Sequence, residues 1–209
     1  MAPPTAAHSA SAPRTQGERS EHTRARLIQA TITCIATHGY QATTTRRVTE
    51  IASASLGALA HHFPSRLDLI VTTLDEVGQR MVIDLRADAA AIPTRGRKRT
   101  VALLNVFWSY FRSDLFSVWL KVWITAADDP DLYAALAPLE PRLSAAIAAT
   151  AADLAPAGLN RIVWTRRVAA ALNAMRGLAL TLSIQPRATT IANDPWPPLR
   201  AELTALLDR

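Results

Sequence analysis

Residues 39–69 read GYQATTTRRVTEIASASLGALAHHFPSRLDL, and this stretch decides the fold. Within it, Thr44 can cap a short helix over 45–52, and Ser55 can cap a second short helix over 56–63. A tight turn is left between the two helices. Two short helices joined by such a turn are typical of a helix-turn-helix, whose second helix enters the major groove of DNA. Spacing alone also fits two short helices of any helical bundle, so the rest of the chain has to be weighed with it.

The rest of the chain also has helical periodicity, and alternating strand patterns are absent. The clearest amphipathic pattern covers 65–88, whereas 114–127 has almost no polar face and predicts a buried helix. A further helix is expected over 129–154, with bends at Pro138 and Pro141. We therefore expect an all-α fold of about nine helices.

The composition favours a negatively charged partner. The 209-residue chain carries 23 Lys and Arg against 17 Asp and Glu, which gives a net charge of +6. Positive charge is one of the footprints of nucleic-acid binding. All but two of the basic residues are arginines, whose planar fork of donors suits phosphates and guanine, although the codon usage of a GC-rich genome would produce the same bias.

Other classes of protein lack the residues that they need. The single cysteine, Cys34, rules out a disulfide framework and a cysteine zinc cluster, and we expect it to be a small buried residue. All five histidines precede residue 63, and no nucleophile–base order, carboxylate pair or phosphate loop is visible. We therefore expect no enzyme, no cofactor and no metal site. No apolar stretch reaches the roughly 18 residues that span a bilayer, and the N-terminus lacks the apolar core of a signal peptide, so we expect a cytoplasmic protein without a membrane partner.

The motif resembles the tetracycline-repressor (TetR) family of bacterial regulators. The resemblance covers about 45 residues and ends in His62-Phe63-Pro64-Ser65, close to the family's His-Phe-x-x-Lys. It is carried by Arg26, Leu27, Ile28, Ala30, Gly39, Tyr40, Thr44, Thr45, Val48, Ile51, Ala52, Ser55, Gly57, Leu59, the 62–65 signature, Arg66 and Leu69. The chain departs from the family at Thr49, Ser53 and Ala60, where Ala, Gly and Tyr are usual.

The resemblance implies a three-helix DNA-binding head on a helical body that binds a ligand and dimerises. We expect a flexible tail over 1–18, the head over 19–66 and the body over 67–209. The implied function is that of a ligand-responsive transcriptional regulator, a homodimeric repressor that a small molecule releases from a near-palindromic, double-stranded operator. Two alternatives stay open: an enzyme or carrier built on a helical bundle, and a ligand-binding or interaction protein whose head no longer reads DNA.

Position in the motif nominates the residues that contact DNA. Arg66 replaces the family's Lys at the start of a long helix, where a cation beside a helix N-terminus suits a phosphate. Val48 and Ile51 are expected to face inward. The expected DNA-binding residues are Thr44, Arg46, Arg47, Ser55, Leu56, Ala58, His61, His62 and Arg66.

Aromatic residues concentrate in the body, where they form either plain core or the walls of an effector pocket. Such walls suit a flat aromatic ligand or a quaternary ammonium ion. The segment 118–123, VWLKVW, with Asp129-Pro130-Asp131-Leu132, weakly resembles choline-responsive regulators of the betaine pathway. The expected pocket residues are Trp108, Phe111, Phe116, Trp119, Trp123, Tyr133 and Asn173.

Two final helices, over 159–184 and 197–208, are expected to form a four-helix bundle with a second copy of the chain. The expected interface residues are Ile162, Ala169, Leu172, Arg176, Leu180, Leu203 and Leu206. Their bland interpretation is core packing and helix propensity in an alanine-rich chain.

Overall fold

The computed structural model describes residues 15–92, 97–156, 158–184 and 194–208. These ranges contain ten α-helices and no strand, so the expected all-α class is confirmed. The expected helix over 129–154 is two helices, because the chain breaks at Ala137 and restarts at Pro138. The helices are α1 Gln16–His38, α2 Thr45–Ala52, α3 Leu56–His62, α4 Arg66–Ala90, α5 Arg97–Phe111, α6 Asp114–Ala126, α7 Pro130–Leu136, α8 Leu139–Asp153, α9 Arg161–Ile184 and α10 Trp196–Leu207. Within the described ranges no helix is both long enough and apolar enough to cross a bilayer.

Helix α1 begins before the expected end of the tail. The Thr15 hydroxyl accepts a hydrogen bond from the Glu18 amide at 3.2 Å, and the Glu18 carboxylate accepts one from the Thr15 amide at 2.7 Å. This reciprocal capping box fixes the helix start. Residues 16–18 therefore belong to α1 rather than to the tail predicted over 1–18. Residues 1–14 of that predicted tail lie outside the described residues.

Helices α1, α2 and α3 pack around a small core of their own. Leu27, Cys34, Val48 and Leu59 are buried in it, as is Phe63 after α3. The burial expected for Cys34 is confirmed.

The inward face of α2 lies one position away from the one predicted. Val48, Thr49 and Ala52 are buried, whereas Ile51 is 41% exposed. The prediction of an inward-facing Ile51 was wrong, because the buried stripe includes Thr49, whose hydroxyl donates to the carbonyl of Arg46 at 2.8 Å and so is not left unpaired.

Helix α4 runs from the three-helix head into the body, and α6 packs against both α4 and the end of α1. A shared core joins them, in which Ile35 and Ile70 meet Val118 and Val122. Helix α6 is not buried all round as predicted: Ile124 is 53% exposed, and Lys121 donates to the carbonyl of Ala36 at 2.5 Å. The boundary expected between 66 and 67 therefore falls inside the first turn of a continuous helix, with continuous packing across it.

The far end of the body has a second core, formed by α5, α8, α9 and α10. Trp164 lies at its centre, 1% exposed, and its indole N–H donates to the carbonyl of Ala151 at 2.6 Å. Leu103, Leu104 and Met175 pack around it. This core fixes the relative positions of α5, α8 and α9, which line the cavity described below.

Ser53, at the turn between α2 and α3, has a left-handed backbone with φ 48° and ψ 47°. An L-residue pays about 1–2 kcal/mol for this conformation, and glycine pays only its larger loss of chain entropy, roughly 0.5–1 kcal/mol. We expect Ser53→Gly to raise the free energy of unfolding by about 0.5–1 kcal/mol in urea titrations. Ser53→Ala, which keeps the Cβ, should leave it nearly unchanged, and equal effects of the two changes would show that the strain is absent.

Candidate nucleic-acid interface and body cavity

The caps that the sequence predicted for α2 and α3 are both formed. The Thr44 hydroxyl accepts from the Arg47 amide at 3.2 Å, and the Ser55 hydroxyl accepts from the Ala58 amide at 3.0 Å. Each bond satisfies an amide that the helix start would otherwise leave unpaired. The helix-turn-helix geometry therefore rests on the two hydroxyls that the motif supplies.

Helix α3 presents a solvent-facing surface beside the start of α2. Leu56 is 57% exposed, and His61 is also exposed, whereas Ala58 and His62 are half-buried. The His62 ring lies against His61 on one side, with ring centroids 5.1 Å apart, and near Phe63 on the other, at 6.2 Å. His62 thus packs against the head core, while Leu56 and His61 are free to meet a partner.

Arg46 and Arg47 differ in how they are held. Arg46 is 84% exposed, and its Nε lies 3.0 Å from the Glu50 carboxylate one turn on. An exposed pair of this kind contributes only about 0.3–0.5 kcal/mol, so Arg46 can leave it for a phosphate at little cost. Arg47 donates to the carbonyl of Ala42 at 2.8 Å and is half-buried. Both guanidiniums lie at the first turn of α2.

Arg66 does not lie free for a phosphate, as the sequence predicted. Its Nε donates to the carbonyl of Thr43 at 2.7 Å and one terminal nitrogen to the carbonyl of Tyr40 at 2.6 Å. The guanidinium also lies over the Tyr40 ring, 4.3 Å from its centroid. Because the loop before α2 offers two carbonyls and a ring, Arg66 ties the start of α4 to that loop. We correct its assignment from a phosphate contact to a positioning residue.

Arg26 is a second structural arginine that sequence reasoning missed. Its guanidinium donates to the carbonyl of Ala52, and to that of Ser53 at 2.8 Å. These are carbonyls at the end of α2, where a cation is favourable. Arg26 belongs to the conspicuous motif residues, but its partners are distant in sequence and no spacing rule could have identified them.

The body contains an enclosed, mostly apolar cavity of about 60 Å³. It lies between α4, α5, α6, α8 and α9. Its walls carry five aromatic rings, and only its mouth is polar. The lining residues are Met81, Val82, Leu85, Phe107, Tyr110, Phe111, Phe116, Trp119, Glu140, Leu143, Ser144, Ile147, Leu172 and Arg176.

Three of the seven expected pocket residues line this cavity: Phe111, Phe116 and Trp119. Trp108 instead stacks on Trp196, with ring centroids 4.6 Å apart and planes 10° from parallel. It lies on the α10 side of α5, so it faces away from the cavity.

The other expected pocket residues lie on outer faces. Trp123 sits one turn beyond Trp119 and meets the ring of Tyr133, which is 55% exposed. Asn173 is exposed on α9. None of these three lines the cavity, and sequence missed the rings of Phe107 and Tyr110 that do. Helical phase explains the difference, since residues one or two positions apart on a helix face different ways.

The expected dimer residues also separate into groups. Ile162 is 71% exposed, Leu180 is 39% exposed and Ala169 is exposed. Leu172 and Arg176 instead line the cavity. Leu203 is buried in the protomer core, and Leu206 is half-buried against it, so these two positions on α10 serve the fold of one chain.

The mouth of the cavity is formed by Glu140 and Ser144 of α8 and by Arg176 of α9. The Ser144 hydroxyl donates to the Glu140 carboxylate at 2.9 Å. An Arg176 nitrogen lies 4.0 Å from the same carboxylate, and Arg176 Nε is buried without a hydrogen-bond partner. Arg176, assigned from the sequence to the dimer interface, is thus a cationic group at the entrance of an apolar cavity.

Tyr110 carries a hydroxyl among the cavity-lining residues. It donates to the Asp88 carboxylate at 2.7 Å. Burial, followed by this hydrogen bond, raises the pKa of Tyr110 well above its usual range. The hydroxyl therefore stays neutral, and Arg176 and Glu140 are the ionised groups among the residues that line the cavity.

The comparisons with known proteins agree with this architecture. Residues 27–73 match the family of bacterial regulatory proteins called the tetR family. Over 119 residues the chain is 30% identical to the HTH-type transcriptional regulator CymR of Pseudomonas putida, in a match that spans 57% of this chain and 58% of the relative. The chain thus spans less than two thirds of the length of that relative.

Two solved structures share the fold over nearly the whole chain. A transcriptional regulator from Rhodococcus sp. Rha1 superposes with a TM-score of 0.65 at 22% identity, over 88% of this chain and 94% of the other. A regulator structure from Saccharomonospora viridis, in complex with choline, has a TM-score of 0.64 at 20% identity, over 90% and 97%. With the motif, its caps and the helical body in place, the chain belongs to the tetR family of bacterial regulatory proteins.

Proposed function

We propose that the chain is a ligand-responsive, DNA-binding transcriptional regulator that acts as a homodimeric repressor. One observation carries the proposal: α3 presents exposed Leu56 and His61 directly beside the exposed Arg46 of α2. An apolar side chain and an imidazole can contact base edges, and an arginine can contact the phosphates beside them. The net charge of +6 supports the same partner.

We further propose that the head over 19–66 binds DNA and that the body over 67–209 takes the effector and the second copy. Supporting the dimer, α9 has an exposed stripe of Ile162, Ala169 and Leu180, reduced from the seven residues that sequence suggested. A two-fold dimer requires a near-palindromic operator with half-sites about one helical turn, roughly 34 Å, apart.

The direction of the response follows from the size of the cavity. Its volume of about 60 Å³ is below the range of typical ligand sites, about 300–1,000 Å³. An effector must therefore widen it. Met81, Val82 and Leu85 place α4 along one wall, and the same helix begins at Arg66 in the head. Widening the cavity shifts α4 and the spacing of the two heads, which favours release from the operator.

The effector is proposed to be a small molecule, and the sequence suggested an aromatic compound or a quaternary ammonium ion. The aromatic walls support either interpretation. The choline bound in the Saccharomonospora structure is consistent with the second. The polar mouth of the cavity allows a narrower choice, which is argued in the next subsection.

A test of the reading surface uses Leu56→Ala and His61→Ala together. We expect the ratio of affinities for the DNA flanking the gene and for random DNA to fall about ten-fold, because base contacts contribute roughly 1–3 kcal/mol each, while affinity for random DNA stays nearly unchanged. Fluorescence anisotropy titrations measure both. Ile83→Ala is the matched control, since Ile83 is a 64% exposed apolar residue of the body. An unchanged ratio in the double variant would contradict the placement of α3 in the groove.

A further inference from the structure

We infer that the cavity binds a small amphipathic anion, whose negatively charged oxygens are held by Arg176 and whose apolar part lies among the aromatic rings. The inference takes from the proposed function only the idea that this cavity is the effector site. It departs from the sequence-based suggestion of a quaternary ammonium ion and gives Arg176 a role in ligand binding.

The first argument is the unsatisfied hydrogen-bonding capacity of Arg176. A guanidinium has five N–H donors in a fixed fork that matches a carboxylate or phosphate. Here its Nε is buried and has no hydrogen-bond partner. Its ion pair with Glu140 is 4.0 Å long, beyond hydrogen-bond distance. A buried donor without a partner is costly, and an acceptor supplied by a ligand would remove that cost.

The second argument is that the two charges at the mouth are unequally satisfied. The Glu140 carboxylate already accepts a hydrogen bond from Ser144 at 2.9 Å. It can therefore give up its long contact with Arg176 and keep a partner. A ligand anion gains a free donor fork from this exchange, whereas a ligand cation would meet Arg176 as a like charge.

The third argument is the orientation that the lining imposes. The side chains of Arg176 and Glu140 are 43% and 36% exposed, so the charged pair lies at the entrance. Behind it the walls are apolar, with the rings of Phe107, Phe111 and Trp119. A ligand with an ionised head and an apolar tail fits this order, head at the mouth and tail inside.

The volume of the cavity sets the size of the tail. The cavity measures about 60 Å³, less than the roughly 150 Å³ of an engineered cavity that takes benzene. A short alkyl chain enters with a small displacement of the walls, and a ring requires a larger one. We therefore choose hexanoate as the probe, with hexanamide as its neutral analogue and hexylammonium as its cationic one.

The test is isothermal titration calorimetry of the full chain with these three probes and with choline. We expect hexanoate to bind at least ten-fold more tightly than hexanamide, and hexylammonium and choline to bind more weakly still. Arg176→Gln should remove the preference for hexanoate, a loss of about ten-fold. Arg176→Lys, which keeps the charge without the fork, should lose part of it.

The reciprocal variant gives the sharpest sign. Glu140→Gln removes the competing carboxylate, so we expect it to tighten hexanoate binding, whereas a cation site would lose affinity. Arg166→Gln, an exposed position of the same helix that does not line the cavity, is the matched control. Circular dichroism and urea unfolding check that each variant is folded.

The outcomes separate this inference from the proposed function. Tighter binding of choline or hexylammonium, equal binding of all probes, or absence of hexanoate binding would each overturn the inference. DNA binding measured in parallel is independent of these results. Loss of DNA binding with retained hexanoate preference would contradict the regulator and leave the anion site standing.

Discussion

Replacing Arg46 and Arg47 together by alanine is expected to weaken DNA binding about ten- to a hundred-fold at low salt and to reduce the slope of log K against log salt by about two. Each arginine that contacts a phosphate releases about one counterion, so two lost contacts remove about two units of slope. The loss should be similar on operator and random DNA, because phosphate contacts carry no sequence information. Anisotropy titrations over a range of salt concentrations measure both quantities.

The chain offers a closely matched control for this experiment. Arg80 of α4 is 75% exposed and lies 3.9 Å from Asp84, the acid four residues on, as Arg46 faces Glu50. Arg80→Ala removes the same charge and the same kind of pair at a place in the body. We expect it to leave the salt slope unchanged. A slope that falls equally in both variants would mean that the effect is one of net charge and not of contact.

Arg66→Met is expected to lower the free energy of unfolding by about 2 kcal/mol and to weaken DNA binding, yet to leave the salt slope unchanged. The carbonyls of Thr43 and Tyr40 lose their charged donor, at 2.7 and 2.6 Å, and the loop before α2 loses its tie to α4. Because Arg66 is already bonded within the chain, no phosphate contact is removed. Affinity then falls through the position of α2 alone.

The salt slope decides between the two roles considered for Arg66. A slope reduced by about one would restore the phosphate contact expected from the sequence. Arg86→Met is the control on the same helix, since Arg86 is exposed and makes one long hydrogen bond, 3.5 Å, to Thr150. Urea unfolding and anisotropy of both variants give the required numbers. We expect Arg66→Lys to recover little stability, because an ammonium cannot reproduce the fork that spans both carbonyls.

The head could be predicted well because its signals are local. Thr44 and Ser55 cap their helices through an amide three residues away, and the turn between them is short. Such patterns are visible in a single stretch of sequence. Only the phase of α2 was wrong, at Ile51, where a hydrogen-bonded Thr49 took the buried position instead.

The body was harder to predict because its site is assembled from five helices. An apolar periodic pattern identifies which residues of a helix are buried, but not which neighbour each one meets. Trp108 and Phe111 lie within one turn of α5, and one packs on Trp196 while the other lines the cavity. Arg176 was assigned to an interface for the same reason, since its partner Glu140 lies on another helix.

The central claim is that this chain binds DNA through its head. The most direct test is fluorescence anisotropy of the purified chain with DNA that flanks its own gene, at two salt concentrations, with random DNA of equal length as the control. We predict tight binding that weakens steeply with salt and prefers the flanking DNA. Equally weak binding of both DNAs, without salt dependence, would contradict the account and favour an interaction protein whose head no longer reads DNA.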